Sequence, residues 1–128
     1  YFKQAFELEP NYEEARKIYA VAAIYARDDK LLNEILTPKY GSVLVDDERI
    51  LGAYLQSKQY NNAIGIIKAR IAKDPNNPNA HISLASIYYQ SGNSAAATAE
   101  IRTAMKLDPS FKDQGEKILE QIRSGRPI

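Results

Sequence analysis

The chain has 128 residues, of which 45% are hydrophobic and 26% are charged, a composition typical of a folded domain and unlike that of a disordered chain. Its 17 Lys and Arg residues nearly balance 16 Asp and Glu residues, so the net charge of +1 gives no electrostatic reason to expect a nucleic acid partner. The absence of Cys excludes disulfides and Cys-ligated zinc within this sequence, and no apolar run approaches the roughly 20 residues that cross a bilayer, so we expect no membrane insertion.

The first ten residues are predicted to form an amphipathic helix that ends at Pro10. Because the chain begins with Tyr1 and not with Met, we interpret this helix as the second half of a two-helix unit whose first half lies outside the sequence. Its apolar residues recur at helical spacing and are too numerous for one neighbouring helix to cover. We therefore expect Phe2 and Phe6 to promote self-association of the chain, as a consequence of truncation and not as its biological oligomer.

Residues 11–41 are predicted to contain two helices separated by a turn at Asp28 and Asp29. Tyr25 precedes this turn as Tyr54 and Tyr88 precede the turns of the later segments, so we expect it to be a structural core residue. Pro38 is expected to end the second helix early, because proline lacks the amide N–H and disfavours the helical conformation of the residue before it.

A repeat of 34 residues links the next two segments of the chain. Tyr54 and Tyr88 are 34 residues apart, and so are Pro75 and Pro109, each of which follows an Asp. Helical pairs of this size stack in arrays, because one pair is too small to bury its own apolar face. The two repeats span residues 42–75 and 78–109.

Both halves of the later repeat have the pattern of a helix. Pro78 suits the first turn of one helix, and Gly92 suits the left-handed stop at its end. Residues 110–123 then form a predicted terminal helix with the polar outer face that the end of a repeat array requires. The side chains that we expect to be buried are Ala85, Tyr88, Ala97, Ile101 and Ala104, with Tyr54 and Ala63 in equivalent positions one repeat earlier.

The period and its landmarks resemble the tetratricopeptide repeat, a 34-residue helix–turn–helix unit. The residues of the later repeat that match the family pattern are Leu84, Ala85, Tyr88, Gly92, Ala97, Ile101, Ala104 and Pro109. His81 stands where the family usually has Trp, and Arg70 stands where the preceding repeat should have Ala. The resemblance implies an all-α fold, an α-solenoid of stacked helix–turn–helix repeats that forms a single domain. Its expected segments are 1–10 (second helix of a truncated repeat), 11–41 (degenerate repeat), 42–75 and 78–109 (repeats) and 110–123 (C-terminal capping helix).

No group of residues has the spacing of a catalytic or metal-binding site. His81 is the only histidine and has no second His or Cys to complete such a site, so we interpret it as a packing residue. The paired carboxylates are adjacent in sequence at helix starts or turns, where they cap free backbone N–H groups. The pairs are Glu13–Glu14, Asp28–Asp29 and Asp46–Asp47. We therefore predict a non-enzymatic chain without a cofactor or metal ion.

In tetratricopeptide arrays the first helix of each repeat lines a concave groove, and the resemblance implies that this groove binds a protein or peptide partner. The candidate groove residues, which we expect to be partly exposed, are Arg16, Tyr19, Arg49, Leu55, Ile82 and Tyr89. A family clamp for C-terminal carboxylates requires two Lys residues, and this chain has Tyr19, Ala23, Arg49, Asn79 and Ser83 at the clamp positions, so that ligand class is disfavoured. A second interpretation is that Tyr19, Leu55 and Tyr89 only contact neighbouring helices.

The sequence therefore favours a non-catalytic interaction or scaffold module that binds a peptide or partner segment. An alternative is that the chain is the soluble, repeat-bearing tail of a bacterial membrane protein in polysaccharide ligation or envelope assembly, where it organises a complex. The two hypotheses differ in what precedes Tyr1: transmembrane segments favour the tail, and further repeats favour the scaffold.

Overall fold

The computed structural model of the chain describes residues 13–127, which form seven α-helices and no β-strand. The helices are α1 (Glu13–Tyr25), α2 (Asp29–Tyr40), α3 (Glu48–Gln56), α4 (Tyr60–Lys73), α5 (Pro78–Gln90), α6 (Ser94–Leu107) and α7 (Lys112–Ser124), with a 3-10 turn at Pro109–Phe111. The all-α class and the helix–turn–helix arrangement expected from the sequence are confirmed. Phe2 and Phe6, and with them the expected self-association, lie outside the described residues.

Short polar side chains set the starts of the helices. Asp28 accepts a hydrogen bond from the backbone N–H of Leu31 at 3.1 Å, and Asp47 accepts from Arg49 and Ile50 at 2.9 and 3.2 Å. Each bond satisfies an N–H group that has no partner within its own helix. The capping role predicted for these two acids is confirmed, and Asn77 and Asn93 cap α5 and α6 in the same way.

Pro38 does not end the second helix, contrary to expectation, because α2 continues to Tyr40. The proline lies in the last turn of the helix, where its fixed φ is compatible with helical geometry and only one backbone hydrogen bond is lost. Gly41 then ends the helix in a left-handed conformation, with φ of 76°, and its N–H donates to the Thr37 carbonyl at 2.8 Å.

Three interhelical turns close with the same backbone hydrogen bond, and this bond determines how the repeats align. The N–H groups of Asp28, Gln59 and Asn93 donate to the carbonyls of Ala23, Tyr54 and Tyr88 at 3.0, 2.8 and 2.8 Å. One residue before each donor, Arg27, Lys58 and Gly92 adopt positive φ angles of 55°, 61° and 89°. Ala23 is therefore the equivalent of Tyr54 and Tyr88. The interval from Ala23 to Tyr54 is 31 residues, and the interval from Tyr54 to Tyr88 is 34.

This alignment corrects the expected role of Tyr25. The sequence pattern places Tyr25 in the core, but its side chain is 49% exposed and lies two residues beyond the equivalent position. Ala23 and Ile24 are buried in its place. The mismatch arises because the tyrosine of the repeat pattern is replaced here by alanine, so a nearby tyrosine is matched to it by residue type alone.

Contacts divide the chain into two compact units, Tyr1–Gln59 and Tyr60–Ile128, and this division falls inside the repeat expected at residues 42–75. In the first unit α1 packs against both α2 and α3. Its core consists of small and aliphatic side chains around one buried tyrosine, whose hydroxyl donates to the Val43 carbonyl at 2.9 Å. These core residues are Ala20, Ala23, Ile24, Leu32, Ile35, Leu36, Ile50 and Tyr54.

In the second unit each helix from α4 to α7 packs against the next one along the chain. The small residues expected in the core are fully buried there: Ala63, Ala85, Ala97 and Ala104, together with Ile101. Tyr88 is only half-buried, contrary to expectation, because it packs at the edge of the cluster that includes Ile101 and Leu119. Gly115 lets α7 approach α6 closely, since a Cβ at this position would lie 2.5 Å from Met105 Cγ.

Candidate functional site

The first unit contains a surface depression of about 390 Å³ between α1 and α3. The two helices run side by side in the same direction, because residues near their starts pair with each other and so do residues near their ends. We call this surface the α1/α3 depression. It is lined by Ile18, Val21, Tyr25, Glu48, Arg49, Gly52, Ala53 and Gln56.

The α1 side of the depression is an apolar stripe. Ile18, Val21 and Tyr25 recur three and four residues apart, a spacing that places them on one face of the helix. Ile18 is 56% exposed and Tyr25 is 49% exposed, and among the described residues only Leu44 joins them as a large exposed hydrophobic side chain. Two of the three large exposed hydrophobic side chains among residues 13–127 thus lie on one face of α1.

The α3 side of the depression is open because α3 carries a glycine at its centre. Gly52 is helical, and a Cβ built on it meets no heavy atom within 4 Å. Ala53 is buried beside it and completes a low apolar floor. The space above this floor is large enough for a side chain from another molecule. The helix α3 itself is short, with nine residues.

Hydrogen bonds tie the ends of α1 and α3 together at one border of the depression. The Tyr25 hydroxyl donates to Gln56 Oε1 at 2.7 Å, and Arg27 Nη2 donates to the Ser57 carbonyl at 2.5 Å. Gln59 Nε2 also donates to the Ile24 carbonyl at 2.8 Å. The Tyr25 ring is therefore held in position while its face stays exposed.

Ion pairs form the opposite border, near the starts of both helices. Arg49 Nη1 lies 2.8 Å from Glu14 Oε2, and Lys17 Nζ lies 3.0 Å from Asp47 Oδ2. The Arg49 guanidinium lowers the pKa of Glu14. Burial raises the pKa of Asp47, but hydrogen bonds from Lys17 and from the Ile50 and Arg49 backbone N–H groups outweigh it, and the net pKa is lowered. Both borders are thus polar and internally paired, which leaves the apolar floor as the surface available to a ligand.

Of the six candidate groove residues, Arg49 lies in the depression and Arg16 does not. Arg16 is only 8% exposed, so the expectation of a partly exposed side chain is wrong. Its Nη1 donates to the Ile35 carbonyl at 3.3 Å, and its Nε lies 3.6 Å from Glu13 Oε1. The side chain turns toward α2 because its helix position faces the hairpin partner, where a long guanidinium can reach the backbone. Tyr19 is half-buried on the same helix.

The remaining candidates are half-buried and lie outside the lining of the depression. Leu55 is on α3 in the first unit, and Ile82 and Tyr89 are on α5 in the second. The Tyr89 hydroxyl donates to the Arg126 carbonyl at 2.7 Å, and its ring packs against the Ile101 cluster. Structural contacts therefore account for much of the Tyr89 surface.

Sequence reasoning missed the α1 half of the depression, namely Ile18, Val21 and Tyr25. Aligning the repeats on Tyr25 placed this face in the core. A signal for the correct alignment is present in the sequence, since the cap residues Asp28 and Asn93 each begin the second helix of a repeat. Counting back from these caps places Ala23 at the position of Tyr88.

Outside the depression, His81 and Glu13 make contacts that serve the fold. His81 is 9% exposed, and its Nδ1 lies 2.7 Å from Glu100 Oε2 within the α5–α6 hairpin. Glu13 binds Lys39 at 2.7 Å and the Tyr40 hydroxyl, and the Lys39 and Tyr40 hydrogen bonds lower the pKa of this carboxylate. No cluster of three or more His, Cys, Asp or Glu side chains suited to a metal ion occurs within residues 13–127.

Comparison with known proteins identifies the family. No curated protein sequence matches this chain significantly. The sequence profile of the tetratricopeptide repeat matches residues 54–122, which is more than half of the 128 residues and includes the hairpins built around Ala63, Ala85 and Ala97. Within residues 13–127 no helix is both long and apolar enough to span a membrane. With its paired helices and recurrent turns, the chain belongs to the tetratricopeptide repeat family.

Proposed function

We propose that the chain is a non-catalytic protein-binding module and that the α1/α3 depression holds an apolar side chain of an extended partner segment. The observation that carries this proposal is the exposure of Ile18 and Tyr25 on one face of α1, beside a helix whose central residue is Gly52. Family membership supports a protein partner in general, and the exposed apolar lining of the depression supports our choice of this site for it.

The energetics favour an apolar anchor over a charged one. Burying one Leu, Ile or Phe side chain contributes roughly 1.5–3 kcal/mol. The charges of Arg49 and Glu14 already neutralise each other, and both side chains are exposed, so a ligand carboxylate would gain little from displacing this pair. The bound segment is therefore recognised by an apolar side chain, with its flanking residues over the Tyr25–Gln56 border.

The dimensions of the depression limit how much of a partner it can hold. Arg49 and Gln56 are seven residues apart on α3, which corresponds to about 10 Å along the helix axis. An extended peptide covers about 3.3 Å per residue, so about three residues span this distance. We expect one or two anchor residues and not a long continuous motif.

The test is a selection of peptides that bind the purified chain, followed by measurement with variants. Gly52→Leu fills the depression without steric conflict, because the space around a Cβ at this site is open. Ala99→Leu is the matched control, since Ala99 is exposed on α6. We expect Gly52→Leu and Tyr25→Ala to weaken binding of the selected peptides at least tenfold, about 1.4 kcal/mol, and Ala99→Leu to leave it unchanged. Equal binding by all these variants would refute the proposed site.

The wider groove predicted from the sequence is tested separately. Leu55→Ala with Tyr89→Ala is expected to weaken peptide binding by roughly tenfold if those side chains contact the ligand. Helicity and the thermal midpoint must be measured on the same variant, because Tyr89 also bonds to Arg126. Unchanged affinity would restrict the site to the α1/α3 depression.

A further inference from the structure

A second surface lies in the other unit, along the hairpin of α6 and α7. Two depressions of about 400 and 280 Å³ occur there, and both are lined by Arg102. The first is lined by Ser94, Ala95, Thr98, Arg102, Leu119, Ile122 and Arg123, and the second by Arg102, Met105, Lys106, Pro109 and Lys112. None of these residues lines the α1/α3 depression.

The two depressions adjoin at Arg102, which lines both, and we treat them together as one groove. Ser94, Thr98 and Arg102 are spaced four residues apart on α6, and Lys106 continues the same stripe, so these side chains share one helix face. The stripe from Ser94 to Lys106 spans 12 residues, or about 18 Å along the helix axis. We call this surface the α6/α7 groove.

The apolar surface of the groove lies mainly in the second depression, at Met105 and Pro109. Leu119 and Ile122 are buried on α7, and Met105 is half-buried on α6. Ala95 and Thr98 are small, so the backbone of another chain can approach α6 closely at this end. An apolar floor with a low wall is suited to side chains of the Leu or Ile type.

The rim of the groove is positively charged. Four of the lining residues are cationic, Arg102, Lys106, Lys112 and Arg123, and none is acidic. Among the described residues, Arg102, Lys106 and Lys112 form no ion pair. Arg123 lies 2.9 Å from Glu120, but both side chains are more than half exposed, and an exposed pair of this kind is weak. The chain as a whole is almost neutral, so this rim is a local concentration of charge.

We infer that the α6/α7 groove binds an acidic amphipathic helix of a partner protein, with Leu-type side chains on the floor and carboxylates against the rim. A helix of about 12 residues matches the 18 Å length of the groove. The charge of the rim is complementary to Asp and Glu side chains that flank an apolar stripe. The apolar surface at Met105 and Pro109 favours this occupant over a nucleic acid, which would offer phosphates to the rim but no aliphatic side chain to cover that surface.

The probe is a synthetic helix-forming peptide with Leu on one face and Glu on both flanks of that face. Two matched peptides replace every Glu by Lys or every Leu by Ser. We expect the Glu–Leu peptide to bind with a dissociation constant in the micromolar range, to weaken as salt concentration rises, and to bind at least tenfold more tightly than either matched peptide. Chemical-shift changes are expected at Thr98, Arg102 and Ile122.

Charge-reversal variants locate the site. Arg102→Glu with Lys106→Glu is expected to weaken binding of the Glu–Leu peptide at least tenfold. Lys68→Glu with Lys73→Glu is the matched control, because it makes the same change in net charge at exposed positions of α4, and it should leave affinity nearly unchanged. If the first variant unfolds, Arg102→Gln with Arg123→Gln removes two rim charges without reversal and should weaken binding severalfold.

Three results would overturn the inference. The first is an equal loss of affinity in the control variant, Lys68→Glu with Lys73→Glu, which would show that the effect depends only on net charge. The second is localisation of the shift changes to Ile18 and Tyr25, which would leave the α1/α3 depression as the peptide site and the α6/α7 groove without one. The third is tighter binding of single-stranded DNA or of phosphatidylserine vesicles than of the peptide, which would assign the rim to phosphate groups.

Discussion

Arg16 of α1 and His81 of α5 occupy the same position in two different helical hairpins. Each lies seven residues before the carbonyl that closes its interhelical turn, that of Ala23 or Tyr88. Each also reaches across to the second helix of its own hairpin, Arg16 to the Ile35 carbonyl and His81 to the Glu100 carboxylate. The resemblance to the family predicts Trp at this position. A polar bond across the hairpin takes the place of the large apolar side chain in both cases.

We expect His81 to stabilise the second unit through its contact with Glu100. His81→Ala should lower the free energy of unfolding by about 1–3 kcal/mol, because a buried side chain is lost and its partner is left without a hydrogen bond. Glu100→Ala should lower the free energy of unfolding less in the His81→Ala background than in the wild-type chain, with a coupling energy of at least about 0.5 kcal/mol. Urea unfolding of the two single variants and the double variant measures both terms. Strict additivity would show that the contact contributes nothing.

Two helical glycines should respond in opposite ways to the same substitution. Gly52→Ala should raise the free energy of unfolding by about 0.5–1 kcal/mol, because alanine favours the helix and its methyl group meets open space. Gly115→Ala places a Cβ 2.5 Å from Met105 Cγ and 3.3 Å from Phe111 Cε2, and should lower stability by about 1 kcal/mol. Repeating Gly115→Ala in a Met105→Ala background should remove the loss. A stabilising Gly115→Ala in the wild-type background would mean that Met105 moves aside freely.

Two of the three left-handed turn residues, Lys58 and Gly92, provide a matched pair of substitutions. Lys58 has φ of 61° and an exposed side chain, so Lys58→Gly should raise stability by up to about 1 kcal/mol by relieving an unfavourable conformation. Gly92→Ala introduces the same strain at φ of 89° and should lower stability by about 1 kcal/mol. Thermal unfolding followed by circular dichroism measures both. A Lys58→Gly substitution that lowers stability, or a Gly92→Ala substitution that raises it, would disprove the equivalence of the turns.

Alkaline pH should destabilise the first unit as Tyr54, which is buried, and Tyr40, which is half-buried, ionise. Burial and the Glu13 hydrogen bond raise the pKa of Tyr40 to about 12, and burial with the Asp29 charge raises the pKa of Tyr54 to about 12. Because the ordinary value is 10.0, the unfolded chain ionises first, so the stability these residues contribute is complete below pH 10 and is lost as pH rises toward 12. Ultraviolet absorbance of tyrosinate and circular dichroism should change together in that range. If Tyr40→Phe with Tyr54→Phe leaves the late part of the titration unchanged, other tyrosines are responsible.

The helices, turns and small core residues of the later repeat were predictable from the sequence, because local rules determine them. Proline at a first turn, asparagine at a cap and glycine at a left-handed stop each act within a few residues. Ala85, Ala97 and Ala104 are buried as expected, since close helix packing requires small side chains at these positions. Where the pattern was intact, period and residue type were sufficient for the small core residues, but not for Tyr88, which is only half-buried.

In the first unit the pattern is degenerate, and only the tertiary structure decided which side chains are exposed. Ala23 replaces the tyrosine of the pattern, so residue type pointed to Tyr25 while the turn hydrogen bond selected the position two residues earlier. A shift of two residues rotates a helix position by about 200°, which moves a side chain from the core to the surface. Tyr25 and Ile18 thus line a depression and Arg16 is buried, because exposure depends on which helices pack together and not on the helix pattern alone.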